Sequence, residues 1–194
     1  MLELTASKAP GAALRQGMLP ELPFEDGSFD AALGSFVLNQ VGDPTAALGE
    51  FYRVLASGGR IGVTLWPLPP TAMDDLWQGV LKDSCAVVPR DTPAPPQALR
   101  AMQTGPGLSA ALSTAGFGQI RHEVIEWVHR VDAGQLWSGT AGGVTKVGAV
   151  LVQQTPEVFR AAKEAFSRLS AELLDDNGLV ALPVSALIAT GTRP

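Results

Sequence analysis

The chain has 194 residues and a mass of 20.2 kDa; 46% of its residues are hydrophobic, 17% are charged, and its formal net charge is −5. That balance excludes intrinsic disorder, and an acidic chain with no two Lys or Arg adjacent carries no electrostatic footprint for a nucleic-acid backbone. No apolar run is long enough to cross a bilayer, so neither nucleic acid nor membrane is an expected partner, and a single domain over residues 1–194 is expected.

The lone cysteine, Cys85, forbids an intrachain disulfide and cannot supply a thiolate metal site. His122 and His129 have no companions at ligand spacing, so no metal is expected. The first residues have neither a basic head nor a long apolar segment, which gives a cytoplasmic protein as the expectation.

In chain order, residues 1–9 read as one or two helical turns with Met1, Leu2 and Thr5 facing inward, stopped by Pro10-Gly11. Leu14 to Met18 reads as a weak strand. Phe29 to Leu38 is nearly all apolar and follows the turn Glu25-Asp26-Gly27-Ser28, the pattern of a strand buried on both faces of a parallel sheet. Asp43 stands where an N-cap belongs, Pro44 takes the first helical position, and Leu48, Phe51 and Leu55 share a stripe. Ser57-Gly58-Gly59 reads as the helix stop, and Arg60 to Trp66 as a second buried strand, giving a strand, helix, strand crossover.

From Pro67 to Pro106 the composition shifts, with eight of the fifteen prolines in 40 residues, and an irregular lid or cap containing one short helix around Met73, Leu76, Trp77, Val80 and Leu81 is expected. Leu108, Ala111, Leu112 and Ala115 form another helical stripe ended by Gly116. Gly118 to Val128 alternates as a half-exposed strand. The glycine-rich Ser138 to Gly148 is expected to be a loop, Thr155-Pro156 opens a long helix, and Ser185 to Thr190 is a last strand.

Four stretches occur in fixed order: Gly17 with Leu22-Pro23-Phe24-Glu25-Asp26-Gly27-Ser28-Phe29-Asp30; Ser35-Phe36-Val37-Leu38; Glu50-Phe51-Tyr52-Arg53-Val54-Leu55-Ala56-Ser57-Gly58-Gly59-Arg60; and Ala115-Gly116-Phe117. Together they resemble the class I S-adenosylmethionine-dependent methyltransferases, in the branch similar to the ubiquinone and menaquinone biosynthesis enzymes. The resemblance implies an α/β fold: an incomplete Rossmann-like class I methyltransferase fold, with a mostly parallel sheet of order 3-2-1-4-5-7-6 lacking its first two strands and with a proline-rich lid insertion over residues 67–106.

It also implies S-adenosylmethionine as methyl donor, held in such enzymes by a glycine-rich loop after the first strand and an acidic residue ending the second. By that correspondence Met1-Leu2 falls in the helix after the second strand, so the glycine loop is not represented. Gly17, Met18, Leu19, Ser35 and Phe36 are the candidate donor-binding residues; Met18 stands where an Asp commonly receives the adenine amino group, and a thioether is a weak acceptor. Asn39, Gln40, Trp66, Met73 and Trp77 are the candidate residues for a small, largely apolar substrate, with plain turn or core roles as the alternative for each. No catalytic acid or base is assigned, and methyl transfer needs chiefly alignment.

Without its central strands, the Phe29 strand is expected to expose an edge. Three resolutions are open: the third strand moves over, a homodimer or partner subunit covers the edge, or the chain folds only with a missing half. The functional readings stay correspondingly open between a methyltransferase-like enzyme, a donor-independent cyclase or rearrangement enzyme of secondary metabolism, and a non-catalytic accessory protein.

Overall fold

The computed structural model describes residues 2–89, 95–143 and 145–194. Met1, five residues of the proline-rich stretch and Val144, for which inward-facing, lid and loop roles were expected, lie outside the described residues. The chain divides into two compact units: unit 1 holds Met1–Trp66, Pro95–Val124 and Leu187–Pro194, and unit 2 holds Pro67–Ala94 and Ile125–Ala186. The stretch expected as a lid is thus shared, its first part belonging to unit 2 and its last part to unit 1.

Unit 1 opens with α1 (Leu2–Lys8), which forms at the expected place but buries none of its residues. Leu14 to Met18 forms no strand; Met18 makes only an isolated bridge to Glu21. A strand persists by pairing its backbone groups along its length, and among the described residues this segment makes only that one bridge.

β1 (Phe29–Ser35) follows, then α2 (Pro44–Val54) and β2 (Leu55–Leu65). Asp43 caps α2 as its sequence position demands, its Oδ1 accepting from the Thr45 and Ala46 N–H groups at 3.0 and 2.9 Å. The expected Gly stop is instead the start of β2. The α2 C-terminus is closed from elsewhere: Arg193 donates to the carbonyls of Tyr52, Arg53 and Leu55 and lies over the Tyr52 ring at 4.6 Å, a cation where the helix leaves unpaired carbonyls. α4 (Gln97–Met102), α5 (Gly105–Thr114), β3 (Gly118–Val131) and β4 (Val180–Thr192) complete the sheet and its cover.

The sheet order is β1-β2-β4-β3, with β1 and β2 parallel and β4 antiparallel to β2. This matches the 4-5-7-6 half of the expected order. The sheet is mixed, since β4 returns against β2. Gly34, Val63 and Ala189 sit side by side on one face, toward Leu48 and Phe51 of α2 and Leu108 and Leu112 of α5. A Cβ at Gly34 would stand 3.1 Å from the Phe51 ring, so glycine lets the helix seat closely here. On the other face Ala31, Leu33, Arg60 and Thr190 are exposed, and Leu33 retains 84% of its surface. The run read as buried on both faces is covered on one only.

Unit 2 is built on α3 (Ala72–Asp83), α6 (Ala133–Ala141), α7 (Lys146–Leu151) and α8 (Pro156–Ala171). Thr71 and Asp74 form a capping box at the start of α3. Trp77, Trp137 and Phe166 stack or tilt against one another at centroid separations of 5.1 to 6.2 Å to make the core. The glycine-rich stretch expected as a loop, Ser138 to Gly148, supplies the end of α6 and the first half of α7. Gly148 fits because a Cβ there would lie 2.0 Å from the Thr140 carbonyl, and Thr145 caps the helix through the Gly148 N–H at 2.9 Å. No helix among the described residues is long and apolar enough to cross a membrane.

Candidate functional site

In an open α/β sheet ligands bind beyond the carboxyl ends of parallel strands. In unit 1 those are the ends of β1 and β2, where the chain passes from Ser35 into Phe36 and from Leu65 into Trp66. Phe36 has φ +51, a left-handed conformation that costs a side-chain-bearing residue about 1–3 kcal/mol and persists only where surroundings fix it. Its N–H donates to Thr64 Oγ1 at 2.9 Å. Its ring stacks on Trp66 with centroids 4.1 Å apart and planes 21° apart. Gln103 at the end of α4 donates to the Trp66 carbonyl at 3.0 Å, tying the second aromatic to a helix.

The aromatic pair is therefore positioned by Thr64 and Gln103, neither of which the sequence reading singled out. Thr64 reads as an ordinary β-branched strand residue, and Gln103 lies 37 residues from the carbonyl that it holds. Trp66 keeps 42% of its surface exposed, so this stack is a platform rather than core.

Behind the pair, residues 37–40 form a turn closed by Gln40 N–H to the Val37 carbonyl at 2.9 Å and pinned by fully buried Leu38. Asn39 presents a buried Oδ1 with no hydrogen-bond partner, the one such side-chain atom among the described residues. A buried acceptor left without a partner costs stability, and a donor on a bound molecule is one group that would satisfy it. Gln40 is exposed.

Gly17, Met18 and Leu19 lie in a different loop. Gly17 is packed so tightly on Pro23 that a Cβ would meet its ring at 2.7 Å, Leu19 rests on the core, and Met18 is 81% exposed. The loop is held through Glu50, buried on α2, whose carboxylate accepts from the Leu22 N–H at 2.7 Å and from Arg53 Nε and Nη2 at 2.8 and 2.7 Å. Arg53 also reaches Asp26 at 2.6 Å. The Arg53 hydrogen bond, followed by that of Leu22, holds Glu50 below the usual carboxylate range against the opposing effect of burial. This lock accounts structurally for the Glu50-to-Arg60 and Leu22-to-Asp30 motifs.

Met73 and Trp77 belong to unit 2. The Trp77 ring, 5% exposed, is stacked on Phe166, and Met73 packs against the same cluster. His122 is exposed, its Nδ1 paired with Ser109 Oγ at 2.8 Å and its ring lying against Gly105. No group of three or more His, Cys, Asp or Glu side chains capable of holding a metal occurs among the described residues.

The residues present do not make a grip for S-adenosylmethionine. Met18 offers an exposed thioether, residues 14–18 form no strand, and no glycine-rich loop follows a buried strand among the described residues. This end of the sheet presents the stacked Phe36 and Trp66 rings and, in the turn that follows β1, the unpartnered Asn39 Oδ1.

A family model described as a methyltransferase domain matches residues 1–63. Demethylmenaquinone methyltransferase from Thermus thermophilus is 34% identical over 137 residues, 64% of this chain and 62% of that protein. The Streptomyces avermitilis enzyme of the same name is 32% identical over 128 residues, 62% of this chain and 55% of its own length. The chain thus spans less than two thirds of the relatives it matches. Among solved structures, the Bacillus subtilis YcgJ protein superposes with a TM-score of 0.53 at 19% identity, covering 100% of this chain and 78% of that one, a likeness of fold.

Proposed function

We propose that the chain is a member of the class I S-adenosylmethionine-dependent methyltransferase family and that it carries the acceptor side of a methyl transfer to a small, largely apolar metabolite. The observation that carries this is the Phe36–Trp66 stack at the carboxyl ends of two parallel strands, half exposed and fixed by Thr64 and Gln103. The names of the relatives make a quinone ring the first acceptor to test. Such a ring is planar and apolar, and its face matches an aromatic platform.

When bound, the donor supplies an electrophilic methyl group. This chain's residues do the rest of the work on the acceptor: Trp66 and Phe36 hold its ring face, Asn39 Oδ1 accepts from a ring hydroxyl or amine, and the turn 37–40 fixes that acceptor's direction. The proton that the methylated atom gives up passes to solvent, which reaches this end of the sheet beside the 42% exposed Trp66, and these residues contribute by positioning the acceptor. The test is binding of a naphthoquinol analogue to the chain and to Trp66→Ala: roughly tenfold or greater weakening is expected, and equal affinity would overturn the assignment.

A second reading rests on the same contrast between a formed aromatic platform and an absent donor grip. A donor-independent cyclase or rearrangement enzyme needs the first and not the second. Turnover of a polyunsaturated substrate without S-adenosylmethionine would favour it.

A further inference from the structure

We propose that the outer edge of β3 is a self-association surface, on which residues 125–131 of two copies pair antiparallel about a two-fold axis centred on Val128. In the sheet order β1-β2-β4-β3, β3 is an outermost strand. An edge strand offers its outward N–H and C=O groups to any strand that can lie beside it, and native edges are blunted by shortness, proline, a bulge or charge. β3 is 14 residues long and holds no proline, and every residue from Arg121 to Arg130 is exposed.

A strand with one face on a core alternates covered and open positions. The part of β3 that belongs to unit 2 does not. Ile125, Trp127 and Val128 are 43%, 40% and 43% exposed, with Ile125 and Trp127 on one face of the strand and Val128 on the other. β-Branched and aromatic side chains of this kind are stabilised in strands by packing against cross-strand neighbours.

Charge selects the neighbour. Glu126 and Arg130 are the only formally charged residues of the segment, and they flank Val128 on its own face. When the segment pairs antiparallel with itself, these two come opposite each other in one register only, the one centred on Val128. That register sets Glu126 of each copy against Arg130 of the other, Ile125 against Val131, and Val128 against itself, and the two-fold axis repeats each favourable pair. Moving the centre to residue 126 or 130 sets like charges on each other, and moving it by one residue sets Glu126 or Arg130 against Val128. Arg130 is oriented but not used up: its Nε donates to Asp175 at 3.0 Å, and its side chain is 53% exposed, with the terminal guanidinium nitrogens left for Glu126 of the second copy. Glu126 makes no ion pair among the described residues.

Seven residues a side make an interface below standard size, so the dimer is expected to form in the micromolar range. The test is the mass of the chain in solution between about 1 and 100 µM, where a shift from monomer to dimer is expected. Val128→Lys sets two cations at the axis and should weaken the dimer roughly tenfold or more; at a concentration where the chain is monomeric it should leave the Tm unchanged, because Val128 is exposed. Glu126→Arg and Arg130→Glu should each abolish the dimer, and mixing the two variants should restore a heterodimer, since each then meets opposite charge on the other. Arg130→Glu also loses the Asp175 contact, and restoration in the mixture separates the register from any damage to the fold. The proposal is overturned if the chain stays monomeric at about 100 µM, if Val128→Lys leaves a dimer unchanged, or if the mixed variants stay apart. A mass that climbs past the dimer with concentration, as head-to-tail addition of β3 to β1 gives, overturns it as well.

Discussion

Replacing Glu50 by alanine removes the acceptor for three hydrogen bonds at once, those from the Leu22 N–H and from Arg53 Nε and Nη2. Glu50 is 8% exposed, so water does not refill the Leu22 position, whereas Arg53 is 32% exposed and keeps Asp26 and the Leu22 carbonyl as partners. The loss is therefore dominated by one orphaned backbone donor and one charge-assisted pair, together about 2–3 kcal/mol. For a chain of this size that is roughly 4–12 °C in the unfolding transition of unit 1. Asp26→Ala is the control: Asp26 is 80% exposed, and its pair with Arg53 is worth at most about 1 kcal/mol.

The pH dependence has a fixed sign. Folding lowers the Glu50 pKa from 4.5, so its contribution is fully present above the unfolded value and is lost as pH falls through the folded one. Thermal unfolding followed by circular dichroism between about pH 3 and 7 should show a steeper acid limb for the wild type than for Glu50→Ala. If Glu50→Ala and Asp26→Ala unfold together, or if the acid limbs coincide, the lock is not what holds the Leu22-to-Asp30 loop.

Other substitutions probe the sheet and its ends. Gly34→Val drives a side chain into the Phe51 ring, itself 7% exposed, and should destabilise by about 1–3 kcal/mol in a denaturant titration; Gly62→Ala meets only the movable end of Leu33 and should change stability by less than about 0.5 kcal/mol. Thr64→Val keeps the shape but removes the acceptor for the Phe36 N–H, and about 1 kcal/mol of lost stability with weakened acceptor binding is expected from calorimetry of the same variant. Asp175 accepts from the Leu179 and Asn177 N–H groups and from Arg130, so Asp175→Ala should lower the unit 2 transition, most visibly above the carboxylate range, since its pKa is lowered by those bonds.

Local signals carried most of the element list. Asp43-Pro44, Gly116 and Thr155-Pro156 mark helix ends by side-chain chemistry that acts within three or four residues, and each marks an element boundary in the structure. Segments whose state depends on distant neighbours were not legible. Leu14 to Met18 has strand-like composition but no strand beside it. Residues 146–151 are helical despite the glycine among them, because Gly148 allows close approach to Thr140 and Thr145 supplies a cap. The sequence places Ser35, Phe36, Asn39 and Trp66 at the strand ends, with Ser35 and Phe36 expected beside the donor and Asn39 and Trp66 beside the acceptor, and the structure stacks the Phe36 and Trp66 rings on each other. The Thr64 and Gln103 contacts that fix them join residues 28 and 37 apart in sequence, a relation that no local pattern encodes.

We propose that the described residues present an acceptor platform without a donor grip. Isothermal titration calorimetry of the purified chain tests it most directly, with S-adenosylmethionine in one series and a naphthoquinol analogue in the other. The account predicts heat from the quinol, abolished by Trp66→Ala, and none from S-adenosylmethionine at concentrations approaching about 1 mM. Micromolar binding of S-adenosylmethionine by the chain alone would contradict it.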